Sequence, residues 1–204
     1  MLFLAAGTVN YWQAWLFLAV IVLMTSMFTG YLLRSHPAAL RRRMRSGPTA
    51  ETRKAQKVLI AGWYLTLAAM FLVSVFDHRL AWSSVPAAVS LIGDVLVAGG
   101  LVVVGLVVIQ NSYAAATVRV EAGQELASSG LYGLVRHPMY TGNVITMAGI
   151  PLALGSYWGL VLVVPGVFVL GLRIRDEEKM LHEELDGYRE YTRKVRYRLV
   201  PGVW

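Results

Sequence analysis

No cysteine occurs among the 204 residues. Disulfides, thiolate nucleophiles, redox-active cysteine pairs and cysteine-based zinc sites are therefore excluded, and cysteine usage says nothing of the compartment. Charge is scarce too: charged residues make up 15% of the chain against 56% hydrophobic, with a mean hydropathy of +0.55. Soluble domains carry about 25% charge, so lipid is the expected solvent. The N-terminus also lacks the charged region and small-residue cleavage site of a removable signal peptide. Tyr11 to Leu33 is expected to stay in the membrane as a signal anchor. Each crossing takes about 20 residues over roughly 30 Å of hydrocarbon, so the chain supplies a few spans and has no room for a separate soluble domain.

What charge there is falls in blocks. The net charge is +7 and the isoelectric point near 9.9. Eight of the 19 Lys and Arg lie between Arg34 and Lys57, and eight more between Arg173 and Arg198. Blocks beside apolar runs orient a membrane protein on the positive-inside rule, so no nucleic-acid partner is expected.

The first expected span, Tyr11 to Leu33, opens on Trp12 and Trp15. The basic loop Arg34 to Lys57 follows, where Arg41, Arg42, Arg43 and Arg45 read more simply as headgroup anchors than as a ligand site. Val58 to Phe76 is the second span, and Val85 to Gln110 the third. Gly93, Gly99, Gly100 and Gly105 suit the third to close helix contact. Asp94 lies inside it, either a functional carboxyl or one hydrogen-bonded to a neighbouring helix.

Asn111 to Arg136 is polar and broken by Gly123, Gly130 and Gly133, which reads as an ordered or ligand-covering loop. Tyr140 to Leu154 and Tyr157 to Leu172 are short apolar runs joined by Gly155-Ser156, expected to form a helical hairpin. Ile174, Glu178, Leu181, Leu185 and Tyr188 fall on one helical stripe, so the second arm is expected to continue into the cytoplasm with one packed face. The expected fold is thus all-α and integral to the membrane, with five transmembrane helices and a C-terminal hairpin. It forms one domain over 1–204, with three spans in 1–110 and the loop, hairpin and cytoplasmic helix in 111–204. Both basic blocks fall on one side if the N-terminus is outside and the C-terminus cytoplasmic.

The densest chemistry is in the last third: Arg136-His137-Pro138-Met139-Tyr140 and Arg173-Ile174-Arg175-Asp176-Glu177-Glu178. Arg173 and Glu177 stand one helical turn apart, which by itself fits a surface ion pair worth a few tenths of a kcal/mol. Glu178 on the apolar stripe needs a partner or a ligand. Proline after His137 biases the histidine backbone to the extended region, and Pro138 also fits the first position of a helix.

Together with Ser129-Gly130-Leu131-Tyr132, Thr141-Gly142, Gly187-Tyr188 and Tyr191, these segments resemble the isoprenylcysteine carboxyl methyltransferase family and its phospholipid methyltransferase relatives. Leu131 departs from the family's proline. The resemblance implies an S-adenosylmethionine site reached from the cytoplasm and an amphipathic or prenylated acceptor reached from the bilayer, methylated on a carboxylate. Carried over by residue, it implies cofactor contacts from Gln124, Glu125, Leu126 and Ala127, from Tyr132, from His137, Pro138, Met139 and Tyr140, and from Glu177 with Glu178. Arg173 is the implied acceptor-binding and catalytic residue. No metal is implied. A second resemblance, in Val195-Arg196-Tyr197-Arg198-Leu199-Val200-Pro201, is to the end of membrane sterol reductases, larger enzymes that bind a nicotinamide cofactor. A non-enzymatic scaffold is the third alternative. The identity of the acceptor and the oligomeric state stay open.

Overall fold

The computed structural model describes residues 2–44, 51, 53–114 and 124–204, and among these it is helical with no strand. In chain order the helices are α1 (Leu2–Ala6), α2 (Trp12–Ser35), α3 (Pro37–Met44), α4 (Lys54–Leu80), α5 (Ala87–Gln110), α6 (Pro138–Ala153), α7 (Val163–Glu184) and α8 (Tyr188–Lys194). Single 3-10 turns at Gly130–Gly133 and Trp158–Leu162 precede α6 and α7. Four segments are long and apolar enough to cross a membrane: Trp12–Ser35, Lys54–Leu80, Ala87–Gln110 and Trp158–Glu184. The fourth expected span is α6, whose 16 residues rise only about 24 Å at 1.5 Å each.

The helices α5 and α6 touch backbone to backbone. A methyl group added at Gly100 would meet the Gly142 carbonyl oxygen at 2.6 Å, and one at Gly142 would meet the Gly100 oxygen at 2.8 Å. Seven residues along, Gly149 sits against the Gly93 oxygen at 2.7 Å, and Gly93 against the backbone of Leu152 and Ala153. Two glycines at a seven-residue spacing on each of two antiparallel helices thus make a reciprocal seam. Such seams matter in lipid because packing, rather than hydrophobic burial, holds helices together there. Of the other third-span glycines, Gly105 receives the Phe28 ring of α2, whereas Gly99 has nothing within 4 Å.

Polar contacts define two ends of the bundle. At one, the fully buried Asp77 accepts from Ser83 N and Oγ (2.7 Å each), from Ser156 Oγ (2.6 Å) and from Trp158 N (3.4 Å). It ties the end of α4 to the turn after α6. Tyr11 donates to the Leu154 carbonyl at 2.6 Å and stacks on His78 with ring centroids 3.6 Å apart. Trp82 and Trp158 border one shallow cleft here and, with Trp12 and Trp15, are exposed, as suits rings at a headgroup boundary. At the other end Arg53 and Gln56 bond to Asp176, tying α4 to α7, and Leu32, Ala39 and Val108 cluster with Met139. The helix α6 begins at this second end and finishes at the first.

Four expectations need correction. The basic loop contains α3, and Arg42 is not simply a headgroup anchor: it bonds to Ser112 Oγ at 3.1 Å and lies over the Tyr113 ring at 4.3 Å. Arg45 and Gly123 lie outside the described residues. The stripe running to Tyr188 is not one helix. Leu185 leaves helical geometry and Gly187 takes φ +77°, so α8 folds back, and its Tyr188 and Tyr191, with Val195 just past it, cover Leu181 and Leu185. Asp94 is 5% exposed, and neither carboxyl oxygen meets a hydrogen-bond partner among the described residues. Its expected bond to a neighbouring helix is absent from the described contacts.

The seam is directly testable. Gly100→Val and Gly149→Val force side-chain atoms into opposing backbone and are expected to lower stability by at least the roughly 1–3 kcal/mol typical of overpacking. Gly99→Val, pointing into open space, is expected to be within about 0.5 kcal/mol of the parent. Thermal unfolding midpoints in a neutral detergent measure all three.

Candidate functional site

The site is assembled where α6 begins. His137, with φ −124°, stands just outside the helix and Pro138 opens it, so two preceding amide groups find partners elsewhere. Arg136 N donates to Tyr197 O and His137 N to Arg198 O, each at 2.9 Å, while Thr141 Oγ1 donates to Leu199 O at 2.9 Å. The C-terminal tail therefore straps the start of α6 through its own backbone.

Glu178 anchors that strap. It lies 2.8 Å from Arg136 Nε, 3.3 Å from His137 Nε2 and 2.8 Å from Arg198 Nε, with its side chain 8% exposed. A carboxylate on the buried stripe is thus held by two guanidiniums and an imidazole. Burial alone disfavours a charge there, and the surrounding cations and hydrogen bonds offset it.

Its neighbour Glu177 points elsewhere. Tyr140 donates to Glu177 Oε2 at 2.6 Å and accepts from Arg173 Nε at 2.9 Å, so one hydroxyl links both residues. The surface ion pair that their spacing also allowed is ruled out as a description of Arg173, which is 4% exposed and lies 2.8 Å from Glu51 Oε1 through Nη2. Two cavities meet at Tyr140. A cleft of about 100 Å³, open to solvent, is lined by Gln124 to Ala127, Tyr132, His137 to Tyr140 and Glu177. A second cavity of about 180 Å³ lies among α3, α4, α6 and α7, lined by Arg43, Trp63, Tyr64, Asn143 and Arg173. Met139 and Tyr140 line both.

All residues carried over as cofactor contacts therefore border one cleft except Glu178, which is committed to the strap. Arg173 lies behind Tyr140, in the other cavity. The cleft is completed by Asn111 and Tyr113 after α5, by Met180 and Leu181 of α7 and Leu185 just past it, and by Tyr188 and Tyr191. Asn111 and Tyr113 fall in the loop read as ligand-covering, Leu181 and Leu185 on the expected packed stripe, and Tyr188 and Tyr191 in the quoted motif, whereas Met180 had no signal. Asn111 Nδ2 donates to the Tyr132 hydroxyl at 3.1 Å, and Tyr191 donates to the Tyr132 carbonyl at 2.7 Å. Burial pushes the Tyr132 phenol up to about 12, with nearby Glu177 adding to the effect. Burial likewise raises Tyr188 and Tyr191, so all three phenols stay neutral at physiological pH. The arrangement offers a carboxylate, aromatic faces and amide groups in one water-accessible cleft. Behind the Tyr140 phenol lies a second cavity of mixed polar and apolar lining that contains the buried Arg173.

Comparison with known proteins finds likenesses over part of the chain. Residues 89–186 match the phospholipid methyltransferase family. A Delta(14)-sterol reductase of Mus musculus is 33% identical over 95 residues, 43% of this chain and 22% of the reductase. A probable 7-dehydrocholesterol reductase of Acanthamoeba polyphaga mimivirus is 31% identical over 85 residues, 39% of this chain and 19% of that protein. The matched segments thus span about a fifth of these relatives.

The strap makes its own forecast. Glu178→Gln leaves Arg136 and Arg198 without their shared carboxylate and is expected to cost on the order of 3 kcal/mol. Glu184→Gln, at an exposed position of the same helix, is expected to change stability by less than about 0.5 kcal/mol. Unfolding midpoints of the two variants provide the comparison.

Proposed function

We propose that the chain is a membrane methyltransferase that binds S-adenosylmethionine in the open cleft and methylates a carboxylate on a lipid-like or prenylated acceptor held at Arg173. The observation that carries this reading is the Tyr140 hydroxyl, shared between Glu177 on the cleft and Arg173 on the inner cavity. Two reactants of opposite solubility can meet where an open cleft adjoins a cavity among the helices, and Met139 and Tyr140 line both. The match of residues 89–186 to phospholipid methyltransferases supports the reaction class.

The cleft's donor set suits the cofactor. Glu177 and the tyrosine faces favour a cation, and Gln124, Asn111 and backbone groups offer hydrogen bonds to an amino acid and a ribose. When bound, S-adenosylmethionine supplies an electrophilic methyl group. The protein's own part is alignment and exclusion of water, because an ionised carboxylate needs no general base. Arg173 orients the acceptor, Tyr140 holds Arg173 and Glu177 in register, and the α8 tyrosines close the far side.

The reading includes a topology. With α6 as a fifth crossing beside α5, both basic blocks share the cytoplasmic side with the cleft, the N-terminus is outside, and the four exposed tryptophans lie at the outer boundary. With four crossings, the second basic block would face the opposite side.

The two sterol reductase relatives favour a second reading, reduction of a lipid with a nicotinamide cofactor in the same cleft. Ligand binding separates the two. S-adenosylhomocysteine is expected to bind and stabilise the protein at micromolar concentration and NADPH to have no effect; the reverse result discards methyl transfer. Glu177→Gln is expected to weaken S-adenosylhomocysteine at least tenfold. Arg173→Lys is expected to leave that affinity within twofold while lowering turnover of the acceptor. Topology is tested by single cysteines at Ser84 and Lys194 in this cysteine-free background: an impermeant thiol reagent outside intact cells should label the first and spare the second.

A further inference from the structure

The edge with which Arg173 takes a carboxylate is already occupied from within the chain. Its Nε faces the Tyr140 hydroxyl and its Nη2 faces Glu51, 2.8 Å away, with side-chain exposures of 5% for Arg173 and 0% for Glu51. Nε and Nη2 form the side fork that grips carboxylates by parallel bonds, as Arg53 grips Asp176 in this same protein. That second pair, with Gln56 donating to Asp176 Oδ2 at 2.7 Å and to Arg173 O at 3.2 Å, staples the start of α4 to α7. Glu51 lies two residues before Arg53 and is thereby delivered to the guanidinium.

We propose that Glu51 is an internal stand-in for the acceptor's head group: a carboxylate-bearing amphiphile displaces it from Arg173, whereas an amine-bearing one does not. The proposal deepens the carboxylate reading above and rests on it. A buried guanidinium without an anion is strongly disfavoured, so the resting protein supplies a carboxylate of its own. Exchange of one carboxylate for another conserves the charge in the chamber, and Glu51 moves out as the acceptor moves in. A cationic head would meet Arg173 and Arg43 as like charges, while an uncharged one has nothing to exchange. Arg43 also borders an apolar cleft between α2 and α5, lined by Phe28, Leu32, Leu101 and Val104, where an acyl or prenyl chain fits.

Dodecanoate and dodecylammonium are suitable probes, titrated into the full chain in a non-ionic detergent. Fluorescence of Trp63, which lines the chamber, reports binding, with Trp63→Phe identifying its share of the signal. Glu51→Gln removes the competitor and is expected to bind dodecanoate at least tenfold more tightly than the parent, with dodecylammonium unchanged. Adding Arg173→Met should abolish that gain. Unchanged or weaker dodecanoate binding by folded Glu51→Gln overturns the proposal, as does loss of dodecylammonium binding, which would make Glu51 a receptor for a cationic head. Should Glu51→Gln fail to fold, Glu51→Asp withdraws the carboxylate by one methylene. A gain of severalfold then supports the exchange and an unchanged affinity overturns it. S-adenosylhomocysteine binding is measured alongside: its absence in the parent sinks methyl transfer alone, and a flat dodecanoate response sinks the Glu51 proposal alone.

Discussion

Everything at the site depends on how closely α5 and α6 approach. Where Gly100 faces Gly142 and Gly93 faces Gly149, a methyl group added at any of the four would fall within 3.0 Å of opposing backbone. The contact fixes both depth and rotation of α6, because the helix cannot turn about its axis without bringing a larger residue into the seam. Tyr140 stands two residues from the first of these glycines, so its direction is set by a contact made through backbone atoms. The second pair sits one heptad on, near the opposite end, and keeps the two axes aligned along most of α6. In hydrocarbon, where apolar side chains gain little by leaving lipid for protein, such close packing is the available source of precision.

A second constraint is electrostatic and separates two adjacent carboxylates. Glu177 and Glu178 differ by about 100° around α7, enough to place one on the cleft and the other among Arg136, His137 and Arg198. The first meets the cleft through a single phenol. The second holds the tail, and the tail's carbonyl groups in turn satisfy the amide groups that proline leaves exposed before α6. One helix thereby carries a cleft-lining carboxylate and the fastening that keeps the opposite wall in place.

Much of this was legible in the sequence, for physical reasons that also mark where legibility stops. Long apolar runs reveal spans because lipid demands them, and the ends expected for α2 and α5 fall within two residues of those observed. Gly93, Gly100 and Gly105 could be read as contact residues, but Gly99 could not be told from them, since rotation about the axis depends on the partner helix. The cleft residues between Tyr132 and Glu177 came through a resemblance and Asn111 through the polar loop it opens, whereas Met180 joined them only through folding. Periodicity carried the Ile174 stripe too far because it cannot see Gly187 reversing the chain. Glu51 had no local signal at all: its partner is 122 residues away, and an isolated acidic residue in a basic loop looks like solvated surface.

The wall between the two cavities is one aromatic side chain and a methionine thick. On one side lies solvent, and on the other a chamber bordered by helices that meet lipid. The hydroxyl at its centre gives its proton to Glu177 and accepts from Arg173, so the ring is held from both sides. Tyr140 therefore stands at the boundary of two spaces, and the size of its ring sets how closely the open cleft approaches the cavity among the helices.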